Sequence, residues 1–519
     1  MTATTMTPDL AHPACYPHPV ERIRCFETHI SRVYLTGRYA YKLKKPRALG
    51  FLDFTTLAAR RQACEDEVRL NRRFAPSLYL GVVAITMDAQ GAHVEGTGTI
   101  VDYAVRMREF PQDALAHHEL ERGTLTPDDV TQLAHGIARF HASADARPGV
   151  HGTPEAVLRF AEENLAALAT TGDDRIVGLR RWTEERHRAL AALLATRRAD
   201  GHVREVHGDL HLANVVRLDG MLVPFDGLEF SAALRWNDVM SEIAFLVMDF
   251  EDRGAPDLAA VLLDAWLADT GDYDALPLLP WFVVYRALVR AKVLALRARE
   301  LAAGDDRQHV EANCRRYVDL AWRYAHAPGG GLVLMHGLSG SGKSVIAAQL
   351  VSRCHGIRIR SDVERKRLAG LDALARTSSA HATGIYSTAS TAATYARLLS
   401  AARAVVAGGR IAIVDATFLE DAQRAPFVAL ARDAGVPWAV MAIEAPDALL
   451  RARLCERAAA ATDPSEADVA VLLAQQSTRQ PLTGDALTHA VTVDGRTGVT
   501  ESTLAALSRL GLCEGCCGH

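Results

Sequence analysis

Residues 337–344 read Gly-Leu-Ser-Gly-Ser-Gly-Lys-Ser, and this stretch decides the fold of the C-terminal part of the chain. It fits G-x-x-x-x-G-K-[ST], the pattern of a phosphate-binding loop. An apolar run, 332–336, precedes it and an amphipathic run to Cys354 follows it, which predicts strand, loop and helix in that order. Glycine at 337, 340 and 342 lets backbone N–H groups wrap phosphate oxygens without Cβ clashes. The helix that follows points its positive end at the same phosphates. The spacing assigns Lys343 to the β/γ-phosphates of ATP and the Ser344 hydroxyl to Mg²⁺, with Ser339 and Ser341 completing the cradle.

Downstream, strands at 357–360, 410–414 and 438–443 alternate with helices, which predicts a parallel sheet covered by helices. Asp362 and Asp415 each follow a strand C-terminus, where such sheets open onto a ligand crevice. Asp362 is placed to accept a proton from a substrate hydroxyl, and Asp415 to assist the metal. For both, the competing structural reading is a helix N-cap. Arg365, three residues beyond Asp362, falls on the same side of the next helix and is expected to bind substrate. Arg453 and Arg457, four apart on a later helix, would present two guanidinium groups to nucleotide phosphates, or else be solvated surface arginines. With SDVERKRL (361–368) and IVDATF (413–418), residues from 332 to about 480 resemble small P-loop kinases of the gluconate-kinase, chloramphenicol-phosphotransferase and zeta-toxin kind. The resemblance implies Asp362 as the base and the 453/457 arginines as a lid over ATP.

Upstream, Ala-Pro-Gly-Gly-Gly at 327–331 marks a boundary, with a linker at 326–331. Before it, His207-Gly-Asp-Leu-His-Leu-Ala-Asn214 keeps the spacing of H-R-D-L-x-x-x-N with glycine in place of arginine. Asp209 would take the proton of an attacking hydroxyl, and Asn214 would hold a metal together with Asp226 in Phe-Asp-Gly 225–227. Glu229 lies close enough in sequence to see the same metal. A lysine on a strand must then steady the phosphates, paired with a helix glutamate. Lys42 and Lys44 share one face of strand 39–44, with Lys42 preferred, and Glu67 is the expected partner ahead of Glu65. Thr36-Gly37-Arg38 forms a tight hairpin, and no G-x-G-x-x-G loop lies over the phosphates.

YAYKLKKP, FLDFTTL, RLNRRFAP, YLGVV, HGDLHLAN, LRWNDV and YRALVRAKV resemble the aminoglycoside-phosphotransferase branch of the protein-kinase-like fold. The likeness is to bacterial fusions of such a domain with a P-loop kinase, and it spans nearly the whole chain. It implies an α+β bilobal kinase-like fold over residues 1–325, with a small lobe at about 20–107 and a helical large lobe at about 111–325. An α/β P-loop domain would follow at 332–510, and a Cys-rich tail at 511–519. The resemblance also implies that His207 is structural and that Asp238 braces the catalytic loop.

The 519 residues carry 58 basic and 62 acidic side chains, a net charge of −4. Such a balance argues against a nucleic-acid coat or a polybasic membrane binder. The richest apolar stretch, 276–296, contains Arg286, Arg290 and Lys292 and does not suit a bilayer. Arg286 and Arg290 are i, i+4 and suit either an acidic-substrate pocket or ion pairs within the fold. Nine scattered cysteines without a secretory signal predict reduced thiols and a cytoplasmic protein. Cys513, Cys516, Cys517 and His519 supply four soft donors at cramped spacing, a zinc possibility at a chain end. The expectation is an ATP- and Mg²⁺-dependent phosphotransferase with two sites, each acting on a hydroxyl of a small molecule. Two other readings compete: an N-terminal regulatory domain gating one active kinase, and a P-loop half that phosphorylates nucleic-acid ends.

Overall fold

The computed structural model describes residues 8–28, 30–49, 52–327, 329–377, 384–460 and 464–513. Two compact units make up the chain: residues 1–160 with 191–249, and residues 161–190 with 250–519. Compactness therefore divides the chain elsewhere than at residues 326–331, because the helices after residue 250 pack with the C-terminal sheet.

The first unit holds a six-stranded antiparallel sheet in the order Arg24–Glu27, Ser31–Leu35, Tyr39–Lys44, Thr99–Arg108, Tyr79–Asp88, Gly91–Val94. The Thr36-Gly37-Arg38 hairpin is present, with Leu35 opposite Ala40. Strand period two divides the lysine strand between the two faces of the sheet. Tyr41 and Leu43 pack with Leu10, Cys15 and Tyr16, so Lys42 and Lys44 face the other way, towards helix Leu57–Asn71. Thr56 caps that helix by accepting from the Ala59 amide. Its Cys64 and Val68 pack with Leu35, Ala40, Val105 and Met107. The first 20 residues, rich in Pro and Thr, read from sequence as a loose arm, and the structure corrects this for residues 8–20: Leu10 and Tyr16 are buried on the sheet, and the Tyr16 hydroxyl donates to the Leu10 carbonyl at 2.7 Å.

The catalytic stretch follows in two short ribbons. Val203–Glu205 pairs with Trp236–Asp238. Val215–Leu218 pairs with Met221–Pro224 across Asp219-Gly220, both at positive φ, as a tight primed turn requires.

In the second unit five parallel strands run in the order Ile357–Arg360, Ile411–Asp415, Gly331–His336, Trp438–Glu444, Ala490–Asp494. The last of these is absent from the sequence reading. Gly331–His336 is buried along its whole length, as expected of a central strand with both faces covered. Ala260, from helix Pro256–Thr270, belongs to the same core as Val333, Ile346, Leu350 and Met441. Polar contacts reinforce this packing. The Arg358 amide donates to Asp264 at 2.6 Å, Arg397 donates to the Gly271 carbonyl at 2.7 Å, and Arg410 donates to Glu251 at 2.8 Å.

Cys354, the last residue of helix Lys343–Cys354, forms a disulfide with Cys513. The expectation of reduced thiols is corrected for this pair. Cys516, Cys517 and His519 lie outside the described residues. Among the described residues, no group of three or more His, Cys, Asp or Glu side chains is placed to hold a metal ion. No described helix is long and apolar enough to cross a membrane.

Candidate active sites

In the first unit the sequence-predicted groups converge on one ion cluster. Lys42 donates to Glu67 at 2.8 Å and is also paired with Asp226. Lys44 is paired with the same Glu67 and with Glu229. The two lysines share Glu67 and differ in their second partner. Lys42 links the helix glutamate to the expected metal aspartate, while Lys44, fully buried, links it to Glu229. Burial opposes the charge on Lys42, but Asp226 and Glu67 overcome it and hold the ammonium well above its ordinary pKa. Burial also works against ionised Glu67, and the two lysines outweigh it, so its carboxyl sits below the usual range. Glu229 is spent on Lys44 and is nearly inaccessible, so it is not set to meet a metal. Glu65 instead pairs with Arg61 on the surface.

The catalytic loop is held from beneath. His207 Nε2 lies 2.8 Å from the Phe225 carbonyl, and its Nδ1 accepts from the Asp209 amide at 3.3 Å. Burial lowers its pKa, so the neutral ring with Nε2–H is the form that satisfies both contacts. Gly208 adopts φ +86° and donates its N–H to Glu242 at 2.9 Å. Glu242 is also 2.7 Å from His141. The Leu212 amide donates to Asp249 at 2.8 Å. Asp238, expected to brace this loop, accepts from Arg197 at 2.8 Å and from the Met240 amide. The carboxylates on the loop's own amides are Glu242 and Asp249, and sequence reasoning missed both. The one sequence signal for them is that each acid is set among apolar residues of helix Val239–Asp252.

Asn214 donates its amide to the Asp209 carbonyl at 3.0 Å and to the Asp209 carboxylate at 3.2 Å. That use of the N–H₂ leaves the Asn214 carbonyl oxygen as a donor to a cation. Asp226 keeps 42 % of its side chain exposed and sits at φ +61°. Its amide donates to the Tyr79 hydroxyl, and the adjacent Gly227 amide donates to Asn71 at 2.7 Å. These are hard oxygen donors, few in number, as suits Mg²⁺ bound jointly by protein and phosphates.

In the second unit one cavity of about 390 Å³ is lined by Ser339, Gly340, Gly342, Lys343, Ser344, Asp362, Arg365, Asp415, Arg453 and Arg457. Gly337 begins the loop. A Cβ there would lie 2.7 Å from the Ile443 carbonyl and 2.9 Å from the Ser341 hydroxyl. Gly340, at φ +83°, has the Leu450 carbonyl only 2.8 Å from where a Cβ would sit. Any other residue would push away the helix Asp447–Ala460.

Lys343 folds over its own loop and donates to the Leu338 carbonyl at 2.8 Å. Burial lowers its pKa to about 8, against the opposing pull of Asp415 and Asp362. Asp362 lies in the first turn of helix Ser361–Leu368, whose N-cap position is Arg360, and Asp415 ends its strand. Neither serves as an N-cap. Asp415 is buried, 4.0 Å from Arg360. The oxygens of Ser344 and Asp415 are again a small hard set that fits Mg²⁺ alongside phosphates.

Arg365 is 8 % exposed and donates to the Ile385 carbonyl and the Thr391 hydroxyl. Its guanidinium lies 5.0 Å from the centre of the Tyr386 ring. Among the described residues no carboxylate pairs with it, whereas Lys366 and Arg367 on the same helix pair with Glu466 and Glu364. Its Nε and the Tyr386 hydroxyl are buried without hydrogen-bond partners. Arg453 donates to the Gly340 and Gly495 carbonyls at 3.3 and 2.9 Å, and Arg457 to the Ala467 carbonyl at 2.6 Å. Both line the cavity, each anchored by backbone. The loop amide of Ser339 donates to Gln475 at 2.9 Å, a residue that sequence reading did not single out.

Residues 332–482 match the AAA domain family. Over 473 residues the chain is 29 % identical to the uncharacterized protein Rv2004c of Mycobacterium tuberculosis (strain ATCC 25618 / H37Rv), covering 89 % of this chain and 92 % of that one. An uncharacterized protein of Mycobacterium bovis matches to the same extent. Among solved structures, an amicoumacin kinase in complex with AMP-PNP, Ca²⁺ and Ami aligns with 60 % of this chain and 90 % of its own, at 16 % identity and TM-score 0.38. A gluconokinase from Sinorhizobium meliloti 1021 aligns with 35 % of this chain and 93 % of its own, at 20 % identity and TM-score 0.25.

Proposed function

We propose that the protein is an ATP-dependent phosphotransferase with two sites, each passing the γ-phosphoryl group to a hydroxyl of a small molecule. The observation that carries the reading is the joining of Lys42, Glu67 and Asp226 in one unit, alongside a second unit whose cavity holds Lys343, Ser344, Asp362 and Asp415 together. Mg²⁺, when bound with ATP, neutralises phosphate charge at either site.

In the first unit Asp209 orients and deprotonates the acceptor hydroxyl. Asn214 and Asp226 provide metal oxygens, and Lys42 steadies the phosphates once they draw it from Asp226. Lys44 and Glu229 fix Glu67. His207 is structural, and Asp238 with Arg197 supports the neighbouring ribbon. In the second unit the amides of 339–344 hold phosphate oxygens, Lys343 neutralises them, and Ser344 and Asp415 serve the metal. Asp362 is the base. Arg365, buried without a carboxylate, supports the reading that it meets an oxygen-rich acceptor. Arg453 and Arg457 border the nucleotide. Positioning and charge neutralisation supply most of the rate, as suits a loose phosphoryl-transfer transition state.

The test is a metabolite screen with labelled ATP on wild type, Asp209→Asn and Lys343→Ala. Each variant is expected to lose a different labelled product. Loss of no product in either variant would reject the two-site reading. Turnover that survives Asp209→Asn in full, with altered ligand dependence, would make the first unit regulatory.

A further inference from the structure

Three consecutive residues of the phosphate loop are held by the two helices that follow the fourth strand, Asp447–Ala460 and Val469–Thr478. The Leu338 side chain packs on Leu450, Leu454 and Leu472. The Ser339 amide donates to Gln475 Oε1 at 2.9 Å. The Gly340 carbonyl accepts from Arg453 at 3.3 Å. Helical spacing explains the grip, since Gln475 lies three residues beyond Leu472 and Arg453 three beyond Leu450. Leu472 and Leu450 thus seat the helices, and the polar side chains one turn on reach the loop backbone.

The Gln475 contact differs in kind from the other two. Backbone N–H groups of such a loop are its phosphate ligands, and Ser339 lines the cavity that holds Lys343. A neutral carboxamide oxygen there occupies a donor that an anionic oxygen would bind more strongly, because charge-assisted hydrogen bonds are about twice as strong as neutral ones. Gln476, the neighbour, is turned away and donates to Asp447 at 2.8 Å.

We propose that Gln475 is a latch that competes with a nucleotide phosphate oxygen for the Ser339 amide. Nucleotide arrival then releases helix Val469–Thr478 from the loop, and nucleotide departure lets it re-engage. This rests on the reading of residues 337–344 as a nucleotide site and adds to it a residue that sets nucleotide affinity and couples it to movement of one helix.

The test is equilibrium binding of Mg·ATP to the full chain, fitted to two sites with the second identified as the one that Lys343→Ala weakens, in wild type, Gln475→Ala, Gln475→Glu and Lys343→Ala. Removing one competing hydrogen bond is worth about a factor of three to ten. Gln475→Ala is therefore expected to bind ATP more tightly than wild type by roughly that factor. Gln475→Glu places a charged acceptor on the amide and a repelling charge beside the phosphates, and is expected to bind more weakly by at least as much. Hydrogen exchange gives a second readout: in Gln475→Ala without nucleotide, the Ser339 amide should exchange faster than in wild type. Equal or weaker ATP binding by Gln475→Ala overturns the latch, since it would mean that Gln475 does nothing or assists the nucleotide. Wild-type ATP affinity unchanged by Lys343→Ala overturns the underlying site, and the latch with it.

Discussion

The two candidate sites solve the same electrostatic problem with different materials. In the first unit the cradle is made of side chains that neutralise one another: two lysines and three carboxylates in one cluster, buried except at Asp226. In the second it is made of backbone, with a single lysine resting on a carbonyl of its own loop. The side-chain site must break an internal ion pair, Lys42–Asp226, before phosphate and metal can be bound. The backbone site has hydrogen bonds to exchange, Lys343 to the Leu338 carbonyl and the Ser339 amide to Gln475, rather than an ion pair. The contrast teaches that a buried charge cluster stores its order in the fold, and a glycine loop stores it in the chain path.

The sharpest way to break the comparison is Asp209→Asn. Loss of a positioned general base should lower transfer by the first site roughly 10²–10⁴-fold and leave ATP binding at the second site unchanged. Single-turnover assays paired with nucleotide titration would show this. An equal loss at both sites would end the view of two independent cradles.

Lys44→Met tests whether the first cradle is held by its own charges. It leaves Glu229 buried without its partner, and breaking a buried pair costs about 3–5 kcal/mol. Urea denaturation should show a loss of unfolding free energy of that size, and the double substitution Lys44→Met with Glu229→Leu should recover much of it.

Reduction of the Cys354–Cys513 bridge tests the second cradle's support. The bridged residues are 159 apart in sequence, and loss of a long-loop crosslink is worth about 2–4 kcal/mol. Melting with and without a strong thiol reductant, compared with Cys513→Ser, should give matching losses.

The smallest effect expected is on pH. Burial lowers Lys343 to about 8, so its charged form is lost as pH rises through that value, and phosphate then meets a neutral amine. ATP affinity at the second site should fall about tenfold between pH 7 and 9. The same depression disfavours the folded state while the lysine is charged. This site's contribution to stability should therefore increase from about pH 8 towards the ordinary lysine value near 10.5. A flat affinity profile would mean that the amides, and not Lys343, hold the phosphates.

Much of both cradles was legible because the chemistry sits in contiguous motifs. Residues 337–344 and 207–214 carry their spacing locally, and strand period two put Lys42 and Lys44 on one face. What the sequence left open needed contacts between distant segments. It did not separate the partners of Lys42 and Lys44, since those depend on where Asp226 and Glu229 arrive, 184 and 185 residues further on. Nor did it point to Glu242 and Asp249, which form no motif and meet the loop amides only once helix Val239–Asp252 is packed. Residues 8–20 looked loose because a Pro- and Thr-rich stretch gives no periodic signal, although Leu10 and Tyr16 bury themselves on the sheet. Gln475 could be recognised only once Leu472 and Leu450 had seated two helices on the loop.

Ala260 carries a practical consequence. It belongs to a helix upstream of the glycine-rich connector, yet it fills part of the interior beneath the parallel strands. A gene fragment started at residue 329 would encode every phosphate-binding residue and still expose an apolar face that Pro256–Thr270 normally covers. A fragment started at residue 250 would keep that cover and is the better choice for studying this half alone.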